Sequence, residues 1–312
     1  MQSTRLAVAL SVAASFAATS VASAQFLLIP DASNDSIGVY DATDGSLVNA
    51  SFITDANDDA TYNFSTPVEA LQVGSEIFVT DQIADAVYIF DLQGNYVDRI
   101  DSGLDNVRGL AAIGNTLYVS NSGTANGAPG DSVVTINAAT RTITGSFADT
   151  GLDPFDVEVY GGNLLISDID ADGGEGIYLY SPAGTLISQL VNVDTSDPNA
   201  GPDFPEQVSA KLSDTNFLVA GFSVPDGLYE FDASGNEVAY FAGTAGRGVY
   251  ELLNGNYLYT SGAGTFSLDP TTGVSTFIAD GDRYISAYTG VPEPTSLALL
   301  GLGGLGLLRR RR

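Results

Sequence analysis

The chain has 312 residues, of which 44% are hydrophobic and only 16% charged, and its 38 acidic residues far outnumber the 11 basic ones. It contains neither cysteine nor histidine, which excludes disulfides, thiolate nucleophiles, Cys-based zinc sites and any Ser-His-Asp relay. Arg5 and Arg309 to Arg312 sit at the two ends, so residues 25–308 hold six basic residues and a charge near −32; such a body repels nucleic acid, whose phosphates are bound through lysine and arginine.

Residues 1–24 read as a signal peptide. Arg5 supplies the positive start, Leu6 to Ala18 the short apolar stretch, and Ala22-Ser23-Ala24 the small-residue cleavage pattern, so that the mature chain begins near Gln25. Passage through an export translocon is the expectation.

From residue 26 the chain repeats itself. Short apolar segments ending in a small or polar residue recur: Phe26 to Asp31, Ile77 to Asp81, Leu117 to Asn121, Leu164 to Asp168, Phe217 to Gly221 and Tyr257 to Ser261. Their last residues are spaced by 50, 40, 47, 53 and 40. Each is followed by a second such segment, ending at Asp41, Asp91, Asn137, Ser181, Asp232 and Asp269, and most of these run into a glycine turn. No helical-period segment of useful length interrupts them. A unit of this length holding four strands predicts an all-β fold, a β-propeller with six blades; a β-sandwich or β-solenoid is the other architecture compatible with the pattern. The first unit lacks an opening strand of its own. Arg283 to Thr289 can supply it, closing the ring by pairing the C-terminal strand with the N-terminal ones.

The segments Arg108-Gly109-Leu110, Leu117-Tyr118-Val119-Ser120-Asn121 and Val133-Val134-Thr135-Ile136-Asn137 resemble YVTN/NHL-type propeller repeats. The resemblance spans residues 26–290 loosely, and Ser181 and Gly221 depart from it where other units carry Asp or Asn.

Candidate chemistry is sparse. Asp168-x-Asp170-x-Asp172-Gly173 followed by Glu175 places several carboxylates in one tight loop, an oxygen-rich set that suits Ca²⁺. Position 12 would be Leu179 rather than Glu, so the loop is no EF-hand; it reads as an acidic turn or a calcium loop. Asp55 to Asp59 is a weaker loop of the same kind. Asp81, Asn121 and Asp168 end equivalent strands, where they either cap turns or line a shared rim. Tyr88, Tyr118, Tyr178, Tyr229 and Tyr257 are expected to pack between blades rather than to form a sugar-stacking face. No catalytic constellation stands out.

The chain ends with Val291-Pro292-Glu293-Pro294, a Gly-rich apolar run from Leu297 to Leu308, and Arg309-Arg310-Arg311-Arg312. The run is shorter than the roughly 20 residues of an ordinary span, and the arginines would hold its end in the cytoplasm. These three parts in order resemble the PEP-CTERM sorting domain. That resemblance implies processing near the motif by an exosortase-type membrane enzyme, from an inner-membrane-anchored precursor facing the periplasm, and release to the cell surface or beyond. The expected organisation is thus a signal peptide (1–24), a propeller (25–290) and a sorting tail with a short transmembrane helix (291–312). The expected function is a non-enzymatic scaffold of the cell envelope or biofilm matrix, with a protein or an extracellular polysaccharide as partner. A calcium-dependent hydrolase or lactonase and a polysaccharide-binding module are the alternatives.

Overall fold

The computed structural model describes residues 25–55, 62–147, 152–169, 174–193 and 201–290. Residues 1–24, expected to be a signal peptide, the sorting tail, and Asp170 and Asp172 of the acidic loop therefore lie outside the described residues, as do residues 56–59 of the weaker one.

The described chain is built of strands, with no α-helix among them. It opens with β1 (Phe26–Asp31), β2 (Ser36–Asp41) and β3 (Leu47–Thr54). Five blades of four strands follow, each running from the axis outward in sequence order. Blade 2 is β4 (Pro67–Val73), β5 (Glu76–Asp81), β6 (Ala86–Asp91) and β7 (Tyr96–Ile100). Blade 3 is β8 (Val107–Ile113), β9 (Thr116–Asn121), β10 (Ser132–Asn137) and β11 (Thr142–Phe147). Blade 4 is β12 (Pro154–Tyr160), β13 (Asn163–Asp168), β14 (Gly176–Tyr180) and β15 (Leu186–Asn192). Blade 5 is β16 (Pro205–Ala210), β17 (Phe217–Gly221), β18 (Gly227–Phe231) and β19 (Glu237–Ala242). Blade 6 is β20 (Gly246–Glu251), β21 (Tyr257–Ser261), β22 (Gly264–Asp269) and β23 (Val274–Ala279). The last strand, β24 (Ser286–Tyr288), pairs antiparallel with β1, Leu28 facing Ser286, and so becomes the inner strand of blade 1. The ring closes as the missing opening strand predicted.

The core consists of six layers, one between each pair of adjacent blades. Leu27 and Ile29 pack toward blade 6, while Leu28, between them, packs toward blade 2. Leu164 and Ile166 face blade 3, and Leu165 faces blade 5. Both faces of a blade are covered, which is why the second strands are continuously apolar instead of alternating. Tyr88, Tyr118, Tyr178, Tyr229 and Tyr257 are all buried in these layers, as expected.

The polar strand ends hold turns. Asp91 accepts the N–H groups of Gln93 and Asn95, both at 2.9 Å, and Asp232 accepts those of Ser234 and Asn236 at 2.8 and 3.0 Å. In both turns the glycine, Gly94 or Gly235, sits at φ +82°, a conformation that favours glycine.

A second device ties four of the blades to the next near the axis. Thr80 Oγ1 accepts the Glu69 N–H at 3.1 Å and donates to the Arg108 carbonyl of blade 3 at 2.5 Å. Ser120 repeats this with Gly109 N–H (2.7 Å) and the Phe155 carbonyl (2.8 Å), and Ser167 with Asp156 N–H (2.9 Å) and the Glu206 carbonyl (2.8 Å). Thr260 donates to the Arg283 carbonyl at 2.7 Å. The equivalent positions in blades 1 and 5 are Pro30 and Ala220, which carry no hydroxyl.

Candidate functional site at the propeller axis

The inner strands do not pair evenly with their neighbours. Register shifts fall at their first residues, between Pro67 and Glu69, Val107 and Leu110, Pro154 and Asp156, Pro205 and Val208, and Gly246 and Gly248. A bulge leaves a residue unpaired and re-aims its side chain. The bulged stretches contain Arg108, Phe155, Glu206 and Arg247, and Arg283 stands at the corresponding place just before β24. These residues surround the upper mouth of the channel, the end at which the inner strands begin.

Arg108 lies with its guanidinium carbon 4.3 Å from the centre of the Phe155 ring and donates to Asp153 at 3.2 Å. Arg247 lies 4.9 Å over Phe222. Between these two stacks Phe204 joins the aromatic rings into an arc, 5.2 Å from Phe155 and 5.9 Å from Phe222. Glu206 is buried between Arg108 and Arg247; burial pushes its carboxyl up to about 7 against the pull of both arginines.

One layer down the channel is filled. Tyr284, fully buried, brings its ring within 6.5 Å of Phe155 on the opposite blade. Glu69 accepts the Leu110 N–H of blade 3 at 2.6 Å and the Ser286 hydroxyl of blade 1 at 2.7 Å. Gln207 accepts the N–H groups of Val249 (2.9 Å) and Ile285 (3.0 Å) and donates to the Ile285 carbonyl (3.0 Å), reaching past Gly248. Asp156 accepts the Val208 N–H at 2.9 Å. Burial raises its carboxyl to about 8, and burial together with the nearby Asp156 charge raises Glu69 well above the ordinary range. The axis is thus a cross-linked plug of side chains.

Below the plug lies a cavity of about 310 Å³ lined by Glu69, Glu158, Gln207, Tyr250, Lys211 and Ser286 among others. Burial lifts Glu158 to about 7. Lys211 is occupied by Glu230 (2.8 Å) and Asp214 (3.1 Å).

The strand-end residues singled out in the sequence hold loops. Asp81 accepts the N–H groups of Ser65, Thr66 and Ala84 at 2.7, 2.9 and 3.0 Å. Asn121 accepts from Asp105 N–H and donates to the carbonyls of Gly123 and Gly130. Asp168 is fully buried at the end of β13. Glu175 accepts the Phe204 N–H and is raised to about 7 by burial. Among the described residues no three acidic side chains are grouped as metal ligands. Asp55 accepts the Phe64 N–H at 3.0 Å.

Arg108, Arg247, Glu69, Asp156 and Gln207 were not singled out by their chemistry. One signal was available: half of the body's six basic residues occupy equivalent positions opening inner strands, two of them as Arg-Gly pairs, Arg108-Gly109 and Arg247-Gly248.

Fold and axis define a closed six-bladed β-propeller. Residues 290–312 match the PEP-CTERM protein-sorting motif, which covers Pro292-Glu293-Pro294 and the terminal arginines. The chain is therefore an exported propeller sorted by an exosortase-type processing enzyme. A comparison with curated proteins gives no match. Among solved structures, one of a nidogen/laminin complex is similar at a TM-score of 0.62 and 15% identity, over 85% of this chain and 99% of that one. A protein of unknown function from Bacteroides caccae is similar at 0.54 and 14%, over 85% and 98%. Hydrazine synthase of Kuenenia stuttgartiensis is similar at 0.53 and 13%, over 83% and 80%. At such identities these likenesses concern the fold.

Proposed function

We propose that the protein is a non-enzymatic interaction scaffold of the cell surface or extracellular matrix, delivered there as an anchored precursor and presenting its propeller to a protein or polysaccharide partner. The observation that carries this reading is the use made of the axial acids. Glu69 and the strand-end Asp81 hold neighbouring segments with both carboxyl oxygens, and Asp156 holds the Val208 N–H with one while its other oxygen is enclosed, an arrangement that cross-links blades and loops. Catalytic carboxylates are instead expected at an open cleft with free oxygen atoms aimed at a substrate. The acidic body fits a soluble domain that avoids non-specific association with other anionic surfaces.

The test is to cross-link the protein on intact producing cells and identify what is recovered with it, alongside turnover assays on lactone, ester and glycoside substrates. Stoichiometric recovery of one macromolecular partner, abolished when Pro292-Glu293-Pro294 is replaced by alanines, is expected. Turnover of any of these substrates that is lost in Glu158→Gln would overturn the reading.

A further inference from the structure

The arginines of the upper mouth are poorly explained by the fold. In a body with six basic residues among 38 acidic ones, a free guanidinium should find a carboxylate, yet Arg247 makes no hydrogen bond and no ion pair among the described residues. Its guanidinium lies over the face of Phe222, and the carboxyls of Glu206 and Asp282 act on it through space without a hydrogen bond. Among the described residues its Nε is buried without a partner, and so are the Nε atoms of Arg108 and Arg283. Arg283 has its nearest carboxylate oxygen, on Asp282, at 3.7 Å, beyond hydrogen-bond reach. A guanidinium offers five donors in a rigid fork suited to a carboxylate or phosphate, and burying such donors unpaired is unfavourable.

Two further features surround the arginines. Glu206 lies between Arg108 and Arg247, but burial pushes it up to about 7, so near neutral pH it cancels their charge only in part. Asp282 is raised by burial as well. Phe204, which carries the aromatic arc between the two stacked arginines, sits at φ +52°, a left-handed conformation that is an outlier for a bulky residue. Its N–H is held by Glu175, and its carbonyl accepts the Phe222 N–H at 3.1 Å. Strain held in place by surrounding contacts clusters at ligand-binding surfaces.

We infer that the upper mouth binds a carboxylate carried on a ring with a flat apolar face, the carboxylate taken by Arg247 with Arg108 and Arg283, and the ring laid against Phe155, Phe204 and Phe222. Two sources supply that chemistry, a uronic acid unit of a polysaccharide and an aromatic acid. A densely charged polyanion is disfavoured by the body charge. The inference deepens the scaffold reading and rests on it for the export of the domain; a protein partner captured elsewhere on the surface would leave it standing, and failure to bind the probes below would leave the scaffold reading intact.

The experiment is ligand-observed saturation-transfer NMR on the mature exported protein with glucuronate, glucose, benzoate and inorganic phosphate. Glucuronate or benzoate should bind saturably at one site, and glucose about tenfold more weakly or not at all. Which acid wins distinguishes the sugar from the aromatic source. Arg247→Gln should weaken binding about tenfold with an unchanged melting temperature, Arg247→Lys should restore part of it, and Phe222→Leu should weaken the ring-bearing acids while sparing phosphate. Absence of saturable binding by both acids, equal binding of glucose and glucuronate, phosphate binding as tightly as either acid, or affinity untouched by Arg247→Gln would each overturn it.

Discussion

The hydroxyl of Ser286 donates to Glu69 Oε1 at 2.7 Å across 217 residues of sequence. The bond joins β24, the last described strand, to the opening strand of blade 2, and the same carboxyl also holds Leu110 of blade 3. One buried side chain thus ties three successive blades together at the axis, where ring closure is made.

Glu69→Ala should therefore destabilise the ring by about 2–3 kcal/mol, because the Leu110 N–H is left buried and unpaired. Glu69→Gln keeps an amide oxygen as acceptor and should cost less. Urea denaturation midpoints of the two variants check this, and equal midpoints for Glu69→Ala and the unmodified protein would remove the cross-link from the account.

The pH dependence of stability follows from the same plug. Asp156 is raised to about 8 and Glu158 to about 7, both chiefly by burial, so between pH 4 and pH 8 the folded chain holds protons that the unfolded chain has released. Stability from these groups is complete below their unfolded values near 4 and falls as pH rises toward 8. Asp91 and Asp269 act oppositely: their hydrogen-bonded carboxylates are held below the usual range, and their contribution is lost on acidification below about 4. Melting temperatures should peak between about pH 4 and 6 and decline by pH 8.5, and Asp156→Asn should flatten the alkaline decline. A melting temperature that climbs steadily from pH 5 to pH 8.5 would contradict the assignment.

Gly109→Ala tests the closeness of the inner strands. An added Cβ would lie 2.3 Å from Asp156 Oδ1 and 2.5 Å from its Cα, and backbone cannot yield as a side-chain tip can. A loss of about 3 kcal/mol or failure to fold is expected. Gly262→Ala meets nothing within 4 Å and should change the denaturation midpoint by no more than about 0.5 kcal/mol equivalent.

Thr80→Val removes the hydroxyl that accepts from Glu69 N–H and donates to the Arg108 carbonyl while keeping the shape. The expected cost is about 1–2 kcal/mol, read from thermal or urea unfolding. Because Thr80 fixes the backbone of Arg108, the variant should also weaken carboxylate binding at the upper mouth.

Much of the architecture was legible because it is local. Glycine and Asx residues after most third strands mark turns whose hydrogen bonds span only a few residues, as at Asp91 and Asp232. The unalternating run Leu27-Leu28-Ile29 announces a strand buried on both faces. The absence of an opening strand before residue 26, together with a spare one after 283, was enough to anticipate ring closure. Of the acidic loop at 168–175, spacing along the chain gives the carboxylates but not their partners: Glu175 holds the Phe204 N–H, 29 residues on.

The sequence alone determined the sorting motif, the all-β class and the number of repeats, since each depends on composition or on a period that neighbouring residues carry. The tertiary structure alone decided what stands on the axis. Arg108, Arg247 and Arg283 share one rim only because inner strands of separate blades begin at the same end of the channel, and Tyr284 becomes a plug only because the ring closes around it. Contacts made across the centre of a ring have no counterpart in the order of residues along the chain.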